Sequence, residues 1–386
     1  MKEKIKQLAA KYYPYVVNLR REIHAHPELS KHETRTAALV ASELQKLNIP
    51  IQTHIAGTGV VGLLRGRNPE KRCIALRADM DALPIQELND TPYKSKIDGV
   101  MHACGHDVHT SNLLGAAMIL SELRDEWEGT IKLIFQPSEE KIPSGAHAMI
   151  KEGVLENPKV DAIFGLHVHT ELEAGQIGFC AGNFMASSDE IYLTVIGKGG
   201  HAAQPANFIS PLLISAELLL TLKPFTDMKV PTVLSFGKIT ADGATNVIPD
   251  RAELAGTLRC FDETIRAQQH ERIHAICTDV ATKLGGRCEV NILKGYPVLM
   301  NDKTLTERSR AAAVDYLGAN VIHDLPTRMG SEDFAFYTQH VPACFYRIGV
   351  ADRARGITSA IHTPTFDVDE KALLSSIGLM SWLAVQ

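Results

Sequence analysis

The sequence predicts an α/β protein, with a large mixed-sheet α/β domain interrupted by a smaller βαββαβ, ferredoxin-like domain. Three observations predict it. Short apolar runs at 60–64, 73–78, 131–135 and 162–166 are separated by helical stretches, the alternation expected of parallel strand pairs. From Asp189 the order becomes strand, helix, strand, strand, helix, strand, about 110 residues in all, which suits one small domain. After Gly295 the α/β alternation resumes. The expected domains are therefore 1–182 with 295–386, and 183–294.

The elements follow in order. Ile5, Leu8, Tyr12, Val16, Leu19 and Ile23 share one face of a helix over Lys4–His24. His26-Pro27 ends it, because a residue before proline avoids the α region. A second helix is expected over Glu33–Leu47. Val60–Leu64, Cys73–Ala78, Ile131–Phe135 and Ala162–Leu166 read as buried strands, with helices at Val108–Leu123 and Gly145–Glu152. The insertion carries strands Ile191–Ile196, Thr232–Ile239, Arg251–Arg259 and Cys288–Leu293, and helices Pro211–Leu222 and Asp262–Leu284. Helix Leu305–Leu317, strand Ala343–Ile348 and helix Asp369–Leu383 complete the large domain.

Composition excludes several classes. The 386 residues hold 40 Lys plus Arg against 45 Asp plus Glu, a net charge of −5 without a basic block, so nucleic acid is not an expected partner. The most apolar run, PLLISAELLLTL, is short and contains a glutamate, so no membrane span is expected. MKEKIKQLAAKYYPYVV lacks the apolar core and cleavage site of a secretory signal. Seven cysteines, an odd number with no CxxC, point to free thiols in a reducing compartment. A soluble cytoplasmic protein is expected.

Ligands of open α/β sheets bind beyond the carboxyl ends of the strands. There the chain places Asp79-Met80-Asp81, then His102-Ala103-Cys104-Gly105-His106-Asp107, then Glu139-Glu140 and His167-Val168-His169, with His362 in a late loop. Cys104 and His106 at a helix start do not face each other, so a cysteine nucleophile with His106 as base is the poorer reading. Thiolate and imidazole together suit a borderline metal, and Gly105 lets the backbone bend so that both converge. Adjacent glutamates are ordinarily a solvated face. Following an apolar strand and a proline, Glu139 and Glu140 can instead divide labour, one holding a metal and the other taking a proton from the attacking water. His167 or His362 alone would be an ordinary polar histidine. With Cys104, His106 and Glu140 they make five donors for Zn, Mn, Co or Ni, more than one open tetrahedral site needs and enough for two ions sharing a ligand.

These residues resemble the M20 family of metallo-aminoacylases and peptidases, in its amidohydrolase branch. The matching motifs are RREIHAHPELS, ALRADMDALPI, HACGHDVHT, QPSEE, GLHVH, GKGGHAAQP, NVIPDRAELAGTLR, MGSEDFAFY and HTPTFDVDE, in family order over nearly the whole chain. The resemblance implies a two-metal hydrolase cleaving the amide bond of N-acyl amino acids or small related amides. A dipeptidase or carboxypeptidase is the alternative within the family, and a metal-free binding relative the alternative outside it. It implies that Cys104 bridges two divalent ions, that His106 and His167 complete one site, that Glu140 and His362 complete the other, and that Glu139 is the general base. Asp81 would orient a ligand. The insertion becomes a lid, and a homodimer or homotetramer is expected. Arg259, ending the strand RAELAGTLR, would clamp the substrate carboxylate. His201 and Asn246 would donate hydrogen bonds to the oxyanion, in cis or across a subunit interface. Ala206 and Ser210 stand where the family often has His and Asp, and Pro143-Ser144-Gly145-Ala146 stands where it tends to have a double glycine before alanine. Both departures bear on substrate range.

Overall fold

The computed structural model describes residues 1–223 and 230–386. In chain order the helices are α1 (Lys2–Ala25), α2 (Thr34–Lys46), α3 (His106–Glu122), α4 (Gly145–Lys151), α5 (Pro211–Leu222), α6 (Glu263–Lys283), α7 (Lys303–Leu317), α8 (Ala335–Thr338) and α9 (Ala372–Ala384). The strands are β1 (Ile51–Ile55), β2 (Gly59–Arg65), β3 (Cys73–Asp79), β4 (Thr130–Gln136), β5 (Ala162–Glu173), β6 (Ile177–Phe179), β7 (Gly182–Met185) and β8 (Asp189–Ile196). They continue with β9 (Gly200–His201), β10 (Thr232–Thr240), β11 (Val247–Ile248), β12 (Arg251–Cys260), β13 (Arg287–Lys294), β14 (Leu299–Asn301), β15 (Ile322–Asp324) and β16 (Ala343–Ala351). The chain divides into two compact units, Met1–Gly182 with Met300–Pro326 and Asp333–Gln386, and Asn183–Leu299 with Thr327–Glu332.

The first unit is built on an eight-stranded sheet, ordered β1-β2-β4-β3-β5-β16-β6-β15. Its centre is parallel: β3 pairs in parallel with β4 and β5, and β16 with β5. The flanks are antiparallel at β1–β2, β2–β4 and β6–β16, which makes the sheet mixed, as expected. Helix α3 packs against α1, α9 and β3. Fifteen of its residues are buried, polar ones included, so it presents no face to solvent along that length, and this unit's core closes around it.

The parallel centre is what builds the site. Asp79 is level with Gln136 across β3–β4, and the last β3–β5 pair is Arg77↔Gly165. Two residues beyond that pair lie Asp79 and His167, so adjacent strands release polar groups at one level.

Two expectations are corrected here. His167 does not follow its strand but lies inside β5, which runs to Glu173 rather than stopping at Leu166. The polar side chains of His167 and His169 resemble a strand end, yet β16 supplies backbone partners as far as His169 and beyond. Helix α3 begins at His106, not Val108, because Gly105 takes a left-handed φ of 82° and starts it early.

The second unit has a four-stranded antiparallel sheet, ordered β10-β12-β8-β13, with α5 and α6 packed on it. Strand β12 is inserted between β8 and β10, the split arrangement of a βαββαβ unit. Its core of Ile191, Leu193, Val195, Ile214, Leu218, Leu254 and Ile273 is its own. The short strands β9 and β11 pair with each other.

Candidate metal centre

Three elements and two loops of the first unit bring the donors together. Helix α3 opens on Cys104-Gly105-His106. A Cβ on Gly105 would lie 2.7 Å from the Val168 side chain, so this turn requires glycine both for its φ and for its space. The His362 loop is tied to the same turn by His362 N donating to Ala103 O at 2.8 Å.

Cys104 Sγ is the meeting point. It lies 3.3 Å from His167 Nε2 and 3.3 Å from His362 Nε2. Cys104, His106 and His167 form one cluster of ligand atoms within 4.8 Å of one another, and Cys104, Glu140 and His362 form another. Glu140 Oε1 is 3.1 Å from His362 Nε2 and 4.0 Å from His106 Nε2. The structure thus brings together all five residues expected to bind metal, in two sets that share the cysteine.

The donor set fits two cations. His106 Nε2 and Glu140 Oε1 are buried and make no hydrogen bond, a costly state for a polar atom unless something else binds it. Burial pulls His106 down, but the charges of Asp79, Asp81 and Glu140 raise it to about 10, a measure of how strongly this pocket favours positive charge. Burial pushes the Cys104 thiol well above its usual value, with Glu140, Glu139 and Asp79 adding to the effect. A metal would displace that proton on binding. Burial, with Arg347 and His109 adding to it, keeps His167 well below the usual imidazole range and therefore neutral, the form that ligates. His167 Nδ1 donates to Val168 O at 2.8 Å, leaving Nε2 directed at Cys104.

His109 also lies close, clustered with Asp79 and His106. Both its nitrogens are occupied: Nδ1 faces Asp79 Oδ1 at 2.6 Å and Nε2 accepts from Val168 N at 3.0 Å. It is a support rather than a ligand. Asp79 is likewise engaged, its other oxygen accepting from Arg77 Nη1 at 2.6 Å.

Asp81 is the hub of the carboxylate turn. Its Oδ1 accepts from Glu139 N and its Oδ2 from Glu140 N, each at 3.0 Å, and Ser30 Oγ donates to Oδ2 at 2.6 Å. His106 Nδ1 is 3.3 Å from Oδ1. Burial alone would raise the Asp81 carboxyl, but His106, Ser30 and the Glu140 N–H bring it below its usual value. Glu139 is buried with Oε1 accepting from Asp333 N at 3.2 Å. The Asp333 carboxylate in turn accepts from Arg77, Gln136, Ser144 and Ala146.

Sequence reasoning gave no role to Arg77, His109 or Asp333. Arg77 had a signal, since a cation inside an apolar strand must find a buried partner. Asp333 had only its place in MGSEDFAFY. The two departures have structural roles. Ser144 caps α4 and donates to Asp333, and Ser210 caps α5.

The remaining candidates belong to the second unit. His201 pairs with Val247 across β9–β11, and Ala202 N donates to Asn246 O at 3.0 Å, so His201 and Asn246 are neighbours. The His201 imidazole is exposed and accepts from Ala203 N at 3.1 Å. Arg259 on β12 is half-buried, and its Nη1 donates to Thr257 Oγ1 at 2.6 Å. Burial lowers its pKa.

A buried cysteine shared by two sets of possible ligands, with the Glu139 carboxylate within 4.8 Å of His106 and Glu140, is the arrangement of a metal-dependent hydrolase with a two-ion centre. Residues 75–384 match peptidase family M20/M25/M40, and the chain belongs to it. It is 40% identical to IAA-amino acid hydrolase ILR1-like 5 of Arabidopsis thaliana, covering 97% of this chain and 87% of that one. It is 37% identical to N-acetylcysteine deacetylase of Bacillus subtilis, covering 97% of both. The crystal structure of the Bacillus subtilis YXEP protein, described as a dinuclear metal-binding peptidase of the M20 family, superposes with a TM-score of 0.85 at 34% identity, covering 97% of this chain and 98% of that one. The chain is accordingly an amidohydrolase or peptidase that uses two divalent ions. Among the described residues no helix is long and apolar enough to cross a membrane.

Proposed function

We propose that the protein hydrolyses N-acyl amino acids or closely related small amides, releasing a carboxylate and a free amino acid. The observation that carries this is the convergence on Cys104 of two donor sets, next to the buried Glu139, whose carboxylate lies within 4.8 Å of His106 in one set and Glu140 in the other. Cys104, His106 and His167 would hold one ion; Cys104, Glu140 and His362 the other. When bound, the ions supply Lewis acidity to the scissile carbonyl and acidify the attacking water.

The chain's own groups do the rest. Glu139 takes a proton from the water as it adds to the amide carbon, then delivers it to the leaving nitrogen as the C–N bond breaks. The Asp333 N–H holds the Glu139 carboxylate in place through Oε1. Asp81 keeps His106 and the Glu139–Glu140 backbone in register. In the second unit, Arg259 would clamp the α-carboxylate of the amino acid, and His201 with Asn246 would donate to the oxyanion. A relative named for acetylcysteine and one named for an amino acid conjugate support the acyl-amino-acid class.

We also propose a cytoplasmic protein that assembles as a homodimer or homotetramer. All seven cysteines are free, in keeping with a reducing compartment. Leu213 and Leu220 on α5 are 67% and 66% exposed, an apolar face suited to a second copy.

The test is a hydrolysis screen of acetyl-, benzoyl- and longer acyl-amino acids against dipeptides, with Mn, Zn, Co or Ni. Acyl-amino acids should turn over faster, with activity lost to a chelator and restored by metal. A preference for dipeptides would replace this reading with the peptidase one.

A further inference from the structure

Glu33 is a fully buried carboxylate with no Lys, Arg or His against it among the described residues. It occupies the N-cap position of α2 but makes no capping hydrogen bond there. That task falls to Glu28, whose two oxygens accept from Arg35 N at 3.0 Å and Thr36 N at 2.9 Å. Glu33 instead turns toward the metal centre. Its Oε1 accepts from Ser138 N at 2.8 Å, and its Oε2 from Thr58 Oγ1 at 2.7 Å.

Ser138 is the residue before the Glu139–Glu140 pair. It is buried and has φ 54°, the left-handed region that a non-glycine residue occupies only when its surroundings hold it there. Three successive N–H groups, of 138, 139 and 140, therefore end on two buried carboxylates, the first on Glu33 and the next two on Asp81. Remove Glu33, and Ser138 N loses its acceptor among the described residues, at a backbone conformation that already costs energy. The turn would relax, and the two glutamates it carries would move with it. A displacement of about 1 Å in a catalytic group can cost on the order of 10²-fold in rate.

We propose that Glu33 is a positioning residue for this pair, setting where the Glu139 and Glu140 carboxylates point by holding Ser138 in its left-handed turn. This rests on the roles proposed above for Glu139 and Glu140. Keeping a carboxylate buried without a cation against it is expensive, and the brace it gives the Ser138 turn is a return on that cost.

The test compares Glu33→Ala with Glu33→Gln, which keeps an acceptor oxygen for the Ser138 N–H. Three quantities are read: kcat and KM on an acyl-amino acid, Mn²⁺ affinity by equilibrium dialysis, and the thermal unfolding midpoint. Glu33→Ala should lower both kcat and Mn²⁺ affinity by about 10–100-fold, the usual effect of losing a ligand's support, with KM little changed. Glu33→Gln should recover most of both. A folded Glu33→Ala with wild-type kcat and Mn²⁺ affinity would overturn the proposal, as would Gln being as damaging as Ala. If Glu33→Ala does not fold, Thr58→Val, which removes the donor on Oε2, should give a smaller loss in the same two readouts, and no loss would count against it. A wild-type protein that binds Mn²⁺ but hydrolyses no acyl-amino acid would sink the proposed substrate alone. The role of Glu33 would then be read from Mn²⁺ affinity.

Discussion

Replacing Asp81 with Asn tests the wiring of the centre at its most connected point. The carboxylate offers two acceptor oxygens to four contacts: Glu139 N and His106 Nδ1 on one, Glu140 N and Ser30 Oγ on the other. An asparagine has only one. If its oxygen faces Glu139 and His106, its amide nitrogen faces the Glu140 N–H, donor against donor. If it flips, Glu139 N loses its acceptor and His106 Nδ1 the carboxylate oxygen 3.3 Å away. Either way one buried backbone N–H is orphaned, at about 1–3 kcal/mol. The flipped form also removes the group that orients His106, and such losses cost about 10–100-fold in metal affinity. The expected result is a destabilisation of about 1–3 kcal/mol by chemical denaturation of the metal-free protein, together with metal affinity weakened by at least about tenfold by titration calorimetry. Wild-type metal affinity in a destabilised Asp81→Asn would refute the orienting role and leave Asp81 a purely structural brace.

Two further outcomes follow from the second unit. Asp189 accepts from Arg266 Nε at 2.9 Å, from Gly295 N at 3.1 Å and from His270 Nε2 at 2.7 Å. Burial opposes its charge, but Arg266 and His270 bring its pKa from 3.8 to about 2. A lowered carboxyl pKa stabilises the fold above the unfolded value. That contribution, about 2 kcal/mol, is lost as pH falls from about 4 to about 2. Asp189→Asn should be less stable than wild type at pH 7 and show a shallower acid dependence below pH 4; parallel stability–pH curves would contradict this. Arg259→Lys should raise KM for acyl-amino acids and matter much less for their carboxamides, since only the former offer a carboxylate to a planar fork. Equal effects on both would reject the clamp.

What was legible in the sequence, and what was not, divides along physical lines. The strands 60–64, 73–78 and 131–135 are apolar because strands inside the sheet, parallel or antiparallel, are covered on both faces, and each lies within an observed strand. The five proposed metal donors were legible because thiol, imidazole and carboxylate are conspicuous beside apolar runs and in loop turns. The length of β5 was not, because the same two histidines that serve the site interrupt its apolar run. Strands β6 and β15 are three residues each, too short for any period to show, and β1 is an exposed edge with no buried face to mark it. The supporting residues were the least visible. Glu33 is 105 residues from Ser138 and Asp333 is 194 from Glu139, and neither local pattern nor spacing reports contacts made only when the sheet forms.

In the proposed mechanism two adjacent carboxylates have separate roles, Glu139 moving the proton while Glu140 holds metal. Metal content and kcat of Glu139→Gln and Glu140→Gln, measured on the same preparations, test it most directly. Glu139→Gln should retain the two ions of the wild type and lose about 10²–10⁴-fold in kcat, whereas Glu140→Gln should lose occupancy and recover activity in part when metal is raised. Loss of metal from Glu139→Gln with full occupancy in Glu140→Gln would contradict the assignment.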